Sequence, residues 1–439
     1  MKFLVKTMPY KAGGRLPGER ASKLGHLDVI HSELVNSLVQ QFESPINEDE
    51  KPKVASTKFE IGDDPLRLIF AVDGSLQVIK SDFPPFKEVA FIKTALLRLD
   101  QKAMDKIDPE TPHPLALRDI MKDSALHHAT ALPLKGISLP GMNNYDAIRK
   151  IIFESFQDAS LNAEPYKTLK WLAYEKWSSE KKKSPSFQCP HCEAEVPGLA
   201  YDVNSEDCIY CGNEVYLSDM LGFHLEMGED AGPKSVATAY MLIHETLLLF
   251  TGIRHFWEQN KMKVLSDCLF IKDGPLTLRS QYSKLVIPIR NFFVYAKNKG
   301  VGVNIIGQEK TGAFVDHFDS IEREFPERSY LLPSNDYIRR EVQHAPDRGE
   351  PYGSRTNYGN KLFVKTDKYH HMVLSVPVGE YKDSKDIHDL IGIDRILSTL
   401  PKIISNRHEG ALMPVQLANG VASLSNYPSA SVLKLFAGL

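Results

Sequence analysis

The sequence predicts a mixed α/β fold in which helices flank one mixed sheet. Two observations carry this prediction. Short apolar runs such as 66–72 and 300–307 have the length and the β-branched content of strands. Other segments, above all 233–259, repeat apolar residues at three- and four-residue steps, as helices do. Because both kinds of segment recur along the chain, we expect neither an all-helical nor an all-strand protein.

Length and composition exclude several classes of protein. The 439 residues suffice for one large domain with insertions or for two to three domains. No apolar run approaches the roughly 18 residues of a membrane-spanning helix, and the N-terminus lacks the apolar core of a secretory signal. A net charge of −3 excludes binding of nucleic acid by overall charge, so such contact requires a local patch. Five cysteines fit a reducing compartment, and we expect a cytoplasmic protein without a membrane segment.

Residues 1–56 are predicted to form an N-terminal helical segment. Apolar residues between Leu24 and Leu38 recur at helical spacing, which predicts an amphipathic helix over 20–44. A polar linker follows at 45–53. An amphipathic helix at one end of a chain is a candidate for contact with a second copy or with another partner.

Residues 57–439 are predicted to form the main domain. Its elements in order are paired strands over 57–80, a strand or helix start over 89–100, helices over 145–178, a charged linker at 178–186, a helix over 233–259, strands over 264–276 and 300–307, paired strands at 362–366 and 371–377, and mostly helices from 386 onward. Cys268 falls in an apolar strand pattern, where a buried core residue is expected.

Four cysteines have the spacing of a zinc site. Cys189, Cys192, Cys208 and Cys211 form the pattern C-x2-C-x15-C-x2-C, in which two tight turns supply four thiolates to a tetrahedral metal ion. Two disulfides are the alternative. His191 lies inside the first turn but is not needed, because four thiolates already complete a zinc site. We therefore expect a structural Zn²⁺ ribbon inserted at 186–216. Such a ribbon could bind nucleic acid, bind protein or only stabilise the inserted segment.

Glu245 is a carboxylate on the apolar face of the predicted helix over 233–259. Burying an ionised carboxylate is costly unless it is paired with a cation. A structural ion pair with Arg254 or Lys272 is one interpretation. A bound metal ion is the other.

Two aspartates complete a possible carboxylate cluster. Asp73 and Asp273 each end an apolar run, and each is followed by glycine. Asp73-Gly74 is also a strong signal for a hairpin turn. If both strands belong to one sheet with Glu245 packed over it, the three carboxylates converge to within about 4–6 Å, as two-metal sites require. Mg²⁺ or Mn²⁺ relieves the repulsion in such a cluster, and two such ions can hydrolyse a phosphodiester.

Several short motifs, in order between about 57 and 425, resemble those of the NurA family of nucleases. The aspartate motifs are "FAVDGSLQ" and "LFIKDGPL", and the glutamate motif is "HETLLLF". Further resemblances are the strand "VNIIGQEK", the late strands "NKLFVKT" and "MVLSVP", and the C-terminal motif "MPVQLANGVASL". The zinc ribbon is not general in that family.

The resemblance implies an RNase H-like fold and a Mn²⁺- or Mg²⁺-dependent DNase that forms homodimers. Family members work with HerA, a hexameric ATPase that translocates DNA, in DNA end processing or antiviral defence. The implied metal ligands are Asp73, Glu245, Asp273 and Asn419, and Lys310 would contact the scissile phosphate or stabilise developing charge. The family usually carries a histidine where this chain has Asn419, and His408 lies nearby in sequence. A catalytically impaired DNA-binding adaptor is therefore the alternative function.

Overall fold

The computed structural model describes residues 29, 31–41, 55–100, 125–228, 232–345, 349–383, 386–405, 410–424 and 428–439. The chain divides into two compact units, Met1–Pro52 and Lys53–Leu439. In the first unit, the described residues include helix α1, Glu33–Gln41, which has no buried side chain. This confirms the helix predicted over 20–44 for residues 33–41. Its first residues and the predicted linker at 45–53 lie outside the described part of the chain.

Most strands in the described part of the second unit join one mixed sheet. The strands are β1 Thr57–Lys58, β2 Leu68–Lys80, β3 Glu88–Asp100, β4 Ala125–Lys135, β5 Phe187–Gln188, β6 Glu195–Val196, β7 Ser205–Asp207, β8 Glu214–Tyr216, β9 Cys268–Asp273, β10 Asn304–Glu309, β11 Ser329–Leu331, β12 Asn360–Lys365 and β13 His371–Val376. Among the described residues, nine strands form the sheet in the order β1-β11-β12-β13-β10-β9-β2-β3-β4. The pairs β5–β6 and β7–β8 form two small separate hairpins.

Strands β2, β9 and β10 form the parallel centre of this sheet. Phe70 of β2 lies opposite Phe270 of β9, and their rings stack with centroids 5.0 Å apart. Strand β3 pairs antiparallel with β2 along its whole length, β4 pairs antiparallel with β3, and β13 pairs antiparallel with β10. Because both faces of the central strands are covered, these strands read as continuous apolar runs rather than as alternating patterns.

Helices pack on both faces of the sheet. The helices of the described second unit are α2 Asn144–Phe156, α3 Glu164–Ala173, α4 Lys234–Glu258, α5 Met262–Ser266, α6 Val286–Asn298, α7 Ala313–Ile321, α8 Asn335–Tyr337, α9 Ile393–Thr399, α10 Met413–Ala422 and α11 Ser429–Phe436. One core contains α2, α3, α4 and α6. A second core, on the opposite face, contains α9 and α10. Phe270 and Ile271, neighbours on β9, point into the first and the second core respectively.

Helix α4 is the central helix of the first core. Among the described helices it is the one long and apolar enough to cross a membrane, contrary to the expectation that no segment reaches this length. However, 78% of its most apolar 18-residue window is buried inside the protein. The core helix of a folded domain passes the same length and hydropathy test, and the packing of α4 against β2 and β3 accounts for its composition.

Two strand predictions need correction. The prediction of strands paired with one another inside 57–80 is wrong, because β1 pairs with β11 and β2 runs unbroken through Asp73 and Gly74 to pair with β3. Gly74 lies opposite Thr94 in an extended register, so Asp-Gly is not a turn here. Strand β4 was not predicted, since its polar residues on the exposed edge of the sheet hide the strand pattern.

Candidate metal centres

Asp73 and Asp273 lie at the same edge of the sheet. Strands β2 and β9 are adjacent and parallel, with Val72 opposite Lys272, so the next residue of each strand is one of the two aspartates. Asp73 is buried, at 4% exposure, whereas the Asp273 side chain is 24% exposed. Asp273 is the last residue of β9, whereas β2 continues past Asp73 to Lys80, so Asp73 lies just after the part of β2 that pairs with β9. The sheet therefore brings together two carboxylates that are 200 positions apart in the sequence.

Glu245 reaches this edge from helix α4. It is buried at 2% exposure, and its Oε2 accepts a hydrogen bond of 2.9 Å from Nζ of Lys272. Of the two ion-pair partners considered from the sequence, Lys272 is the one that binds Glu245, because Arg254 pairs instead with Glu164. Burial raises the pKa of Glu245, and the nearby ammonium of Lys272 limits that rise. The structure therefore contains the ion pair that is one of the two interpretations of Glu245.

The pKa of Asp73 is strongly raised. Burial, the negative charge of Asp273 and, to a lesser degree, that of Glu245 raise its pKa to about 7, although Asn419 and the Gly74 amide oppose the rise. Its Oδ1 accepts a 2.7 Å hydrogen bond from the Gly74 N–H. Its Oδ2 is buried and has no hydrogen-bond partner. A buried, unpartnered carboxylate oxygen beside two further carboxylates is an acceptor that a hard cation would satisfy.

Two other predicted site residues lie beside the aspartates. Lys310, just after β10, places Nζ 2.9 Å from Oδ1 of Asp273 and is 35% exposed. Asn419 is exposed on α10, and its amide lowers the pKa of Asp73 without giving Oδ2 a hydrogen bond of normal geometry. His408, considered as a substitute ligand, lies outside the described residues.

The three carboxylates form a looser set than a closed metal site. Among the described residues, only the four cysteines place three or more candidate ligand atoms all within 4.8 Å of one another. At least one pair among Asp73, Glu245 and Asp273 is therefore further apart than that distance. A physical reason lies in the lysines, because Lys272 binds Glu245 and Lys310 binds Asp273. Each ammonium therefore balances the negative charge of one carboxylate.

No family model matches the chain, and no curated protein matches it at a significant level.

The four cysteines form a second, compact cluster. Sγ of Cys189 lies 3.9 Å from that of Cys211, and Sγ of Cys192 lies 3.8 Å from that of Cys208. A tetrahedral site with Zn–S bonds of about 2.3 Å separates its sulfurs by about 3.8 Å. A disulfide would bring two sulfurs to about 2.05 Å, and all four thiols are free. The cluster can therefore hold a metal such as zinc.

The cysteine segment is anchored to helix α2 by one buried arginine. Arg149 donates through Nε and Nη2 to the two carboxylate oxygens of Asp219, at 3.0 and 2.8 Å. Its Nη1 also contacts His191 at 3.2 Å. The ring of His191 lies 3.1 Å from the main-chain oxygen of Glu214, and this histidine is not part of the metal-ligand group. His191 therefore helps to dock the ribbon, in agreement with the sequence-based expectation that it is not a ligand.

The charge of the ribbon bears on the roles left open for it. Segment 186–216 contains no Lys or Arg, and its acidic residues are Glu193, Glu195, Asp202, Glu206, Asp207 and Glu214. A Zn²⁺ ion bound by four thiolates would add further negative charge. Because DNA phosphates are held by cations, this segment is electrostatically unsuited to bind DNA. The charge favours a structural or protein-contacting role.

Lys272 is the residue of this site that sequence reasoning did not include among the functional ones. It was considered only as an ion-pair partner of Glu245. Its signal is a lysine that directly follows four fully buried apolar residues of strand β9.

Proposed function

We propose that the protein is a Mn²⁺- or Mg²⁺-dependent DNase whose metal ligands are Asp73, Glu245, Asp273 and Asn419. The observation that carries this proposal is the buried, unpartnered Oδ2 of Asp73 at a sheet edge shared with two further carboxylates. An isolated structural aspartate would normally be hydrogen-bonded. An acceptor that is kept free beside other acids is what a hard cation requires.

The sheet topology supports an RNase H-like fold. In the spatial order β4-β3-β2-β9-β10, the first three strands form an antiparallel meander and the last two are parallel to β2. This is the arrangement expected of an RNase H-like sheet. Along the chain, the long helix α4 lies between the sheet strands β4 and β9. The acidic residues of such a sheet are expected on the central strands, and Asp73 lies within β2 while Asp273 is the last residue of the adjacent β9.

The proposed roles follow from the chemistry of each side chain. Divalent cations, when bound, would polarise the phosphate, activate water and stabilise the leaving oxygen. Asp73 and Glu245 would hold the cation from buried positions, where little water competes. Lys310 is partly exposed and offers a positive charge to the scissile phosphate. Asn419 offers a carbonyl oxygen but cannot accept a proton as a histidine would.

The remaining parts of the proposal rest on the resemblance to the NurA family. They are a homodimer, a HerA-type hexameric ATPase as partner, a cytoplasmic location, and a role in DNA end processing or antiviral defence. We further propose that the ribbon binds a structural Zn²⁺, for which the sulfur geometry is the support.

The experiment is cleavage of linear single- and double-stranded DNA with Mn²⁺, with Mg²⁺ or with EDTA, in the presence and absence of the ATPase. Asp73→Asn is expected to abolish cleavage because it removes the buried anionic ligand. The matched control is Asp394→Asn, since the Asp394 side chain is 78% exposed on α9. If Asp73→Asn and the wild type leave the same products, the nuclease proposal is wrong.

A DNA-binding adaptor without nuclease activity is the second candidate. Two observations favour it: Asn419 stands where the family carries histidine, and lysines already pair with Glu245 and Asp273. Binding of labelled DNA without cleavage under every metal condition, unchanged by Asp73→Asn, would select the adaptor.

A further inference from the structure

Lys272 is a fully buried lysine inside the carboxylate cluster. It is 1% exposed, and its Nζ donates to Oε2 of Glu245 and to the main-chain oxygen of Asp273, both at 2.9 Å. The ammonium thus connects helix α4 to the end of strand β9. These two elements carry two of the proposed metal ligands.

A lysine is a costly residue at this position. The preceding residues of β9, Cys268 to Ile271, are all fully buried and apolar. A buried ion pair often contributes no more stability than apolar residues of the same volume, because both charges lose their hydration. Strand and helix could therefore pack without this charge. The stability of the fold therefore does not explain why a buried cation lies beside Glu245.

The two oxygens of Glu245 face different partners. Oε2 is bound to Lys272, while Oε1 packs against Gly74, the residue next to Asp73. A divalent cation held by Asp73 and Glu245 would therefore share one carboxylate with the ammonium. Two cations that bind the same carboxylate repel each other, and this repulsion is strong in a buried site.

We propose that Lys272 is a positioning residue that serves as a built-in counter-cation. It holds Glu245 in place in the metal-free protein and competes with the divalent cation for that carboxylate. Lys272 thereby weakens metal binding, so that the occupancy of the site follows the Mn²⁺ or Mg²⁺ concentration around the protein. This inference rests on the proposed metal site.

The test is calorimetric titration of the purified full chain with Mn²⁺, without DNA. Lys272→Met removes the charge from a side chain of similar shape, and Lys272→Gln retains a neutral donor for Oε2. Both variants are expected to bind Mn²⁺ roughly tenfold more tightly, or more, which corresponds to about 1.4 kcal/mol. The rise in melting temperature on adding Mn²⁺ should likewise exceed that of the wild type, because the freed carboxylate of Glu245 gains most from a cation.

The matched control is Lys365→Met. Lys365 is 7% exposed and forms an ion pair of 2.6 Å with the partly exposed Glu322, which is not a proposed ligand. This variant removes a buried lysine in the same way, so it should lose stability but bind Mn²⁺ as the wild type does. A residue with a purely structural role would behave in this manner.

The outcomes separate the two proposals. If the wild type binds Mn²⁺ and Asp73→Asn does not, but both Lys272 variants bind it no more tightly than the wild type, the counter-cation inference is overturned and the metal site stands. If the wild type binds no Mn²⁺, or Asp73→Asn binds it unchanged, both proposals are overturned. Tighter binding in both Lys272 variants and unchanged binding in Lys365→Met supports the inference.

Discussion

The backbone of Gly74 is in direct contact with the carboxylate of Glu245. A β-carbon at position 74 would lie 2.5 Å from Oε1 of Glu245 and 2.7 Å from Cγ of Met241. No side chain fits in that space, so glycine lets helix α4 approach strand β2. The glycine that follows Asp73 therefore serves the approach of a second carboxylate and not a chain reversal.

Gly74→Ala should disturb the candidate metal site directly. The added methyl must displace Glu245 or the helix that carries it, which we expect to cost about 1–3 kcal/mol of unfolding free energy. Binding of Mn²⁺ should weaken in parallel. Urea denaturation and calorimetric titration measure the two effects. Gly302→Ala is the control, since the nearest atom to its β-carbon is 3.9 Å away; equal effects of the two substitutions would contradict the packing described for Gly74.

The stability of the protein without added Mn²⁺ or Mg²⁺ should depend on pH through Asp73. Its pKa is about 7 in the folded state against 3.8 for the free side chain, so the folded state binds the proton more tightly. Stability is therefore lost as the pH rises from about 4 to about 7, by an amount on the order of 4 kcal/mol. Asp73→Asn removes this loss and should be more stable than the wild type above pH 7, but not near pH 4.

Urea denaturation at several pH values between 4.5 and 8 measures this difference. Parallel pH profiles for the wild type and Asp73→Asn would show that Asp73 is not the titrating group.

Removing one ribbon cysteine should release the bound metal. Cys208→Ser leaves three thiolates, and we expect the zinc content to fall from about one ion per chain to near zero, with partial unfolding of the ribbon. Elemental analysis and a colorimetric zinc assay check this. Cys268→Ala is the control, because Cys268 is buried in strand β9 and is not one of the four clustered cysteines, so its loss should leave the zinc content unchanged. Full zinc retention by Cys208→Ser would refute the four-thiolate site.

Lys310→Ala should affect catalysis far more than stability. The ion pair with Asp273 is partly exposed, so its loss should change the unfolding free energy by less than about 1 kcal/mol. Loss of a cation at the scissile phosphate should lower kcat about 100-fold or more. Single-turnover DNA cleavage and thermal melting separate the two effects, with Lys299→Ala on the exposed end of α6 as control. Cleavage by Lys310→Ala at the wild-type rate would show that Lys310 has no role in catalysis.

Residues close in sequence were predictable because local geometry determines them. The two C-x2-C turns impose their own shape on a few residues, so the spacing of Cys189 to Cys211 predicts a four-sulfur cluster that the structure contains. Helix α4 follows from its apolar periodicity in the same way. The Asp73-Gly74 pair is the counterexample, because its turn propensity is local and the strand pairing that overrides it is not.

By itself, the sequence determined the class of fold, the cysteine cluster and the three candidate acids Asp73, Glu245 and Asp273. Only the tertiary structure decided that Asp73 and Asp273 share one sheet edge, and that Glu245 pairs with Lys272 rather than with Arg254. The physical reason is sequence distance. Pairing between strands 200 residues apart depends on the burial of both sheet faces over the whole domain, and no local pattern around either aspartate specifies its neighbour.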